Sequence, residues 1–279
     1  MPRVVLPTGC RCPRACRNRN PALNGNKRHI DFNCDLGEGC GNDAAIIPLI
    51  SSANIACGAH AGDETSMRET LRLCRAFGVA AGAHPGHADR EHFGRRDLPL
   101  DPGEASALIG EQLQRLAALA CDEGVRLVHV KPHGALYNQA ARDALLADAV
   151  AAAVRDFDAQ LILVGLAGSA LPEAGLRAGL RVAHEAFADR RYLADASLAP
   201  RGRQGAVIDA ADDAVAQALS IVQSGQVDTL DGARITLRCD TLCLHGDRAD
   251  ALEFALRLRA AFDTLGIRIA APESRRLTP

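Results

Sequence analysis

VHVKPHGALYN, residues 128–138, packs a strand end, a turn and a helix start into one short stretch. Leu127, Val128 and Val130 are apolar and mostly β-branched, so they predict a short buried strand. Pro132 cannot continue a central strand. Gly134 frees the backbone, and Ala135, Leu136 and Tyr137 begin a helical run. Lys131, His133 and Asn138 are therefore gathered where a strand hands over to a helix. Ligands of parallel α/β folds bind outside the carboxyl ends of the strands. Taken alone, the stretch reads equally well as a helix-start loop whose histidine packs on a neighbour.

The same arrangement recurs on both sides of it. Strands are predicted at 30–34, 53–57, 79–83, 160–165, 181–184 and 240–244, with a further closing strand at 267–270. Helices are predicted at 64–77, 102–121, 135–157, 169–178 and 210–224, with a last one carrying Ala251, Ala255, Leu258, Phe262 and Leu265 on one face. Asp63 is placed as an N-cap. Asp101-Pro102-Gly103-Glu104 has the order of a capping box with Pro at the first helical position. Residues 227–238 predict a hairpin turning at Asp231-Gly232. Residues 191–205 show no period and predict an active-site loop. Strands alternating with helices over about 250 residues imply a parallel sheet, and at this length a β/α barrel is favoured over an open sheet.

Six of the predicted strands end in polar residues: Asp35 and Glu38; His60 and Asp63; His84 and His87; Lys131 and His133; Glu185, Asp189 and Arg190; His245 and Asp247. If the strands are parallel, these groups share one rim. Asp63 and Asp247 also suit helix caps, and His87 and His92 suit solvated loop positions. A rim of this composition has two chemistries open to it. Asp35, His60, His84 and His133 are candidate ligands for one divalent metal. Alternatively, carboxylates act as bases while Lys131 and Arg190 neutralise anionic oxygens.

Composition excludes several classes. With 34 acidic and 32 basic residues, no Trp and only two Tyr, nucleic-acid binding is not expected. No apolar run reaches the ~20 residues of a membrane helix. There is no GxxxxGK[ST] loop, and Gly37-Glu38-Gly39-Cys40-Gly41 is not GxGxxG. Residues 1–28 carry seven basic residues and no acid, leaving a net charge of −9 on the remainder. They lack apolar periodicity and are expected to be a disordered extension, with 29–272 as one catalytic domain and 273–279 as a tail. Cys10, Cys12 and Cys16 form a weak metal signal. The other seven cysteines have no framework spacing, as in reduced cytoplasmic proteins.

The segments DFNCDLGEGCG (31–41), SSANIACGAHAGD (51–63), GAHPGHADREHFGRR (82–96), HVKPHGALYN (129–138), LAGSAL (166–171), HEAFADRRY (184–192) and HGD (245–247) together resemble the LamB/YcsF family, in that family's order. Residues 1–28 lie outside its usual start. Ala59 stands where many members carry an aromatic residue, and 39–43 is shorter than in many. The resemblance implies a single β/α barrel, irregular and seven-stranded, of the glycoside hydrolase/deacetylase type. It implies ATP-dependent opening of 5-oxo-L-proline to L-glutamate, shared with 5-oxoprolinase subunits B and C. In that reaction Asp35 or Glu38 would activate water, and His60 or His133 would carry a proton. Lys131 would balance charge. Asn33, His84, Asn138, Glu185, Arg190, His245 and Asp247 would contact substrate or phosphate. A divalent cation such as Mg is a further expectation. A metal-dependent amidase or deacetylase acting alone, and a lactam-binding subunit without catalysis, remain the alternatives.

Overall fold

The computed structural model describes residues 29–247 and 250–272. The expectations for 1–28 and 273–279 fall outside the described residues. In chain order the strands are β1 (His29–Leu36), β2 (Ser52–Ala56), β3 (Ala80–His84), β4 (Leu127–Val130), β5 (Ile162–Leu166), β6 (Arg181–Phe187), β7 (Gln226–Asp228), β8 (Arg234–Thr236), β9 (Thr241–Leu244) and β10 (Arg268–Ile269). The helices are α1 (Asp43–Ile46), α2 (Glu64–Phe77), α3 (Pro102–Asp122), α4 (Gly134–Arg142), α5 (Ala144–Phe157), α6 (Ala170–Arg177), α7 (Ala211–Ser224) and α8 (Ala251–Thr264).

Strands β1 to β6 pair in sequence, all parallel, and β9 closes the ring by pairing with both β6 and β1. The result is a closed seven-stranded parallel barrel with helices around it. The predicted closing strand does not close it: β10 pairs in parallel only with His29 and Ile30 of β1. Strands β7 and β8 form the expected antiparallel hairpin, with Gly232 at φ 82° in the turn.

Period-two patterning sets the wall. On β1, Phe32 lies edge-on to Phe262 of α8, so its face looks out to the helices. Asp31, Asn33 and Asp35 occupy the opposite face and point into the barrel. The helices cover the outside with apolar stripes. Ile109, Leu113, Leu116 and Ala120 of α3 are all buried, as are Ala251, Ala255, Leu258 and Phe262 of α8; Leu265, beyond the helix end, is exposed.

Local chemistry also sets the boundaries. Asp101 accepts from the amides of Gly103 and Glu104, and Glu104 accepts in return from the Asp101 amide, completing the capping box. Asp63 accepts from the Ser66 amide and caps α2. The single helix expected over 135–157 is two. Asp143 is extended (φ −109°, ψ 111°) and its carboxylate takes the amides of Leu145 and Leu146, so it starts α5 instead of continuing α4.

Candidate active site

The barrel axis is polar, and this was not foreseen from the strand ends alone. Thr241 of β9 donates to Asp31 at 2.6 Å. Asn33 donates to Thr241 (2.6 Å) and to Glu185 of β6 (3.1 Å). Asn54 of β2 donates to Asn33 (2.7 Å) and Asp35 (2.8 Å), and its own oxygen meets His129 of β4 at 2.8 Å. Tyr137 of α4 donates to Glu185 at 2.7 Å. Sequence reasoning missed Asp31, Asn54, His129, Tyr137 and Thr241. The alternation Asp31-Phe32-Asn33-Cys34-Asp35 was the available signal, because three polar residues two apart share one face.

Gly82 makes room for this column. A Cβ there would collide with the His129 ring. Position 82 could therefore not carry a side chain without displacing the imidazole.

Lys131 heads the column. Its ammonium is 2.8 Å from Asp35 Oδ1 and 2.9 Å from Glu185 Oε1, and it is almost wholly buried. Burial alone would lower its pKa, but Asp35 and Glu185 hold it well above the ordinary lysine value. Burial would likewise raise Asp35, yet His84 and Lys131 hold its carboxyl well below the usual range. Lys131 is thus a charge balanced by two carboxylates, where the sequence suggested a cation awaiting an anion. Glu185, expected at a ligand, is instead fully buried between Lys131, Asn33 and Tyr137.

Beside this column three imidazoles and a carboxylate converge. Potential ligand atoms of Glu38, His60, His84 and His133 all lie within 4.8 Å of one another. His60 and His133 stack with centroids 3.8 Å apart. A Cβ on Gly86 would come within 2.8 Å of His60 Nδ1, and one on Gly94 within 2.8 Å of His60 Cβ, so both glycines admit the stacked pair. Burial and neighbouring His84 push His60 down to about 3, so it is neutral. Burial, with the Asp35 and Asp247 charges, pushes Glu38 well above the usual carboxyl value. The ligand set expected from sequence changes by one member. Asp35 is engaged by Lys131 and Asn54, with Oδ2 3.4 Å from His84 Nε2, and Glu38 stands in the cluster in its place.

A cavity of about 780 Å³ opens above, lined by Asp35, His84, Lys131 and His133 from the floor. Arg190, Asn138 and His245 line its wall, and the loop 193–202 forms another side. Arg190 is buried, donates to the Ala199 carbonyl at 2.6 Å, and keeps its Nε without a partner. Burial, reinforced by Arg201, lowers it to about 10. His245 is held by Asp189 at 3.0 Å and stacks on Phe187. Asp247, suspected as a cap, pairs with Arg95 instead. His87, read as a solvated loop residue, is buried and bonded to Gln139 at 2.7 Å. Asn33 is buried inside the column and does not line the cavity.

Comparison with known proteins places the chain among relatives. The LamB/YcsF family pattern matches residues 30–276. The chain is 55% identical over 249 residues to the 5-oxoprolinase A subunit of Methylococcus capsulatus, covering 88% of this chain and 96% of that protein. It is 52% identical over 242 residues to the 5-oxoprolinase A subunit of Erwinia tasmaniensis, covering 87% and 99%. A crystal structure of a lactam utilization protein from Thermus thermophilus superposes with a TM-score of 0.82 at 44% identity, over 88% of this chain and all of the other. With its barrel, its column and nearly all of its described length inside that pattern, the chain belongs to the LamB/YcsF family.

Proposed function

We propose that this chain opens a small cyclic amide, 5-oxo-L-proline, to L-glutamate, driven by ATP and acting with 5-oxoprolinase subunits B and C in the cytoplasm. The observation that carries the reading is the cavity floor, where Asp35, His84, Lys131 and His133 meet at the C-terminal rim of the barrel. Support comes from the relatives named as A subunits of 5-oxoprolinase. All seven described cysteines are free thiols, which fits a reducing compartment. No helix among the described residues is long and apolar enough to cross a membrane.

The chemistry follows from the bond. A lactam amide is a poor electrophile, so ATP supplies a phosphoryl group to its oxygen. Water then adds at the activated carbon, the C–N bond breaks, and the nitrogen takes a proton. A second water releases phosphate from the resulting acyl phosphate, giving L-glutamate. Asp35, ionised and oriented by Asn54 and Lys131, is the base for water. The cavity exceeds what a five-membered lactam fills, leaving room for a phosphate-bearing reactant near Arg190.

Hydrolysis of 5-oxoproline, assayed with and without ATP and with and without subunits B and C, tests this. Turnover needing ATP and all three subunits is expected. Turnover by this chain alone, without ATP, would replace the reading with a self-sufficient amidase. Unchanged turnover in the complex carrying Asp35→Asn or His133→Ala would leave the chain a lactam-binding subunit.

A further inference from the structure

We propose that Glu38, His60, His84 and His133 bind one divalent transition-metal cation of the zinc, manganese or cobalt class at the cavity floor.

The tautomers point to it first. His84 Nδ1 is 2.7 Å from the Lys131 carbonyl, which can only accept, so Nδ1 carries a proton and Nε2 is the atom turned to the cluster. His133 Nε2 is 2.8 Å from the Phe93 carbonyl, so its Nδ1 is bare. These two nitrogens face each other at 3.0 Å. With His84 neutral, two lone pairs meet there, and a cation between them removes the repulsion. Backbone carbonyls are among the partners that orient metal-binding imidazoles in known sites.

The spacing suits coordination. Glu38 Oε1 is 3.5 Å from His133 Nδ1, 3.5 Å from His60 Nε2 and 3.9 Å from His84 Nε2. Ligands at ~2.0 Å on a tetrahedral cation are roughly 3.3 Å apart. Glu38 Oε1 and both ring nitrogens of His60 are buried with no hydrogen-bond partner. A purely structural cluster would satisfy such atoms, because an unpaired buried polar atom costs about 1–3 kcal/mol. Three imidazoles with one carboxylate are a borderline donor set, which selects against magnesium and its preference for oxygen and water. At this cluster a zinc-, manganese- or cobalt-class ion is proposed where the sequence suggested Mg. His84 and His133 also line the cavity, so the cation is within reach of a bound ligand. His60 lies parallel to His133, so its lone pair converges least; Glu38, His84 and His133 are the principal ligands.

The test uses the full chain, stripped with a chelator and loaded separately with Zn²⁺, Mn²⁺, Co²⁺ or Mg²⁺. Bound metal per chain, Tm and the visible absorption of the Co²⁺ form are read. About one Zn²⁺, Mn²⁺ or Co²⁺ per chain is expected, with no Mg²⁺ retained. Tm should rise on the order of 10 °C at a thousandfold excess over Kd. A C10S/C12S/C16S variant should keep this metal, whereas Glu38→Gln, His84→Ala and His133→Ala should lose it and His60→Ala should weaken it. Failure of C10S/C12S/C16S to take up any of the three, or retention by folded His84→Ala, would overturn the site. The Co²⁺ absorption of the unmutated chain decides the case should the substituted chains not fold: a high-intensity four-coordinate spectrum supports it, and a weak aquo-like spectrum refutes it. These readouts need no lactam, ATP or partner, so failure here and failure of the lactam reading are separable.

Discussion

Lys131 shows how far a residue's surroundings can redirect the chemistry its sequence position suggests. It follows β4 directly and is fixed by Pro132, yet its ammonium is taken up by Asp35 and Glu185. Lys131→Met leaves two buried carboxylates without their cation. Breaking a buried pair by removing one partner costs about 3–5 kcal/mol. Urea denaturation should show a loss of that order, together with a fall in kcat of at least ~100-fold in the assembled enzyme. Adding Glu185→Gln should return part of the stability but not the activity, because Asp35 is still unpaired. If Lys131→Met denatures like the parent chain, the ammonium does not balance these carboxylates.

At the scale of elements, the helices cover the barrel and the proposed chemistry sits at the rim, so the two should separate experimentally. Leu113 on α3 is fully buried among the core side chains. Leu113→Ala should cost about 2–5 kcal/mol while sparing catalysis in the fraction still folded. The cap of the same helix is a milder case. Asp101→Ala removes an acceptor from two amides and should lower stability by about 1 kcal/mol, with turnover unchanged. Thermal melts alongside activity assays check both. A drop in kcat for either variant would mean that α3 is coupled to the site. The elements were largely legible because apolar periodicity and caps are local: Asp63, Asp101 and the Asp231-Gly232 turn all act within four residues. The break between α4 and α5 was missed because Asp143 competes for amides inside an otherwise helical pattern.

Across the whole molecule, the polar column makes stability depend on pH at the end of the barrel away from the rim. Burial pushes the Asp31 carboxyl up to about 6, despite hydrogen bonds from Ser51, Ser52 and Thr241. Its folded pKa therefore exceeds the unfolded value of about 3.9. The folded chain binds more protons between those values, so this group's contribution is fully present below about pH 4. It is lost as pH rises through about 6. Denaturation midpoints at several pH values should show that decline in the parent chain and a flatter profile for Asp31→Asn. An equal slope in both would assign the pH dependence to other groups.

The order of strands and helices, the barrel class, the gathering of polar groups at one rim and the family were all contained in the sequence. Each rests on short-range patterning or on motifs read along the chain. Three things were decided only by tertiary structure. β9, not β10, closed the ring, because closure depends on where a strand meets its neighbours and not on its own composition. Glu185 and Lys131 became partners across 54 positions, since period-two alternation says which face a residue takes but not what stands opposite it. Glu38 joined three histidines, with Asp35 left to the lysine, because the two carboxylates stand three residues apart at the end of one strand and only the packed barrel sets their distances to His60, His84 and His133.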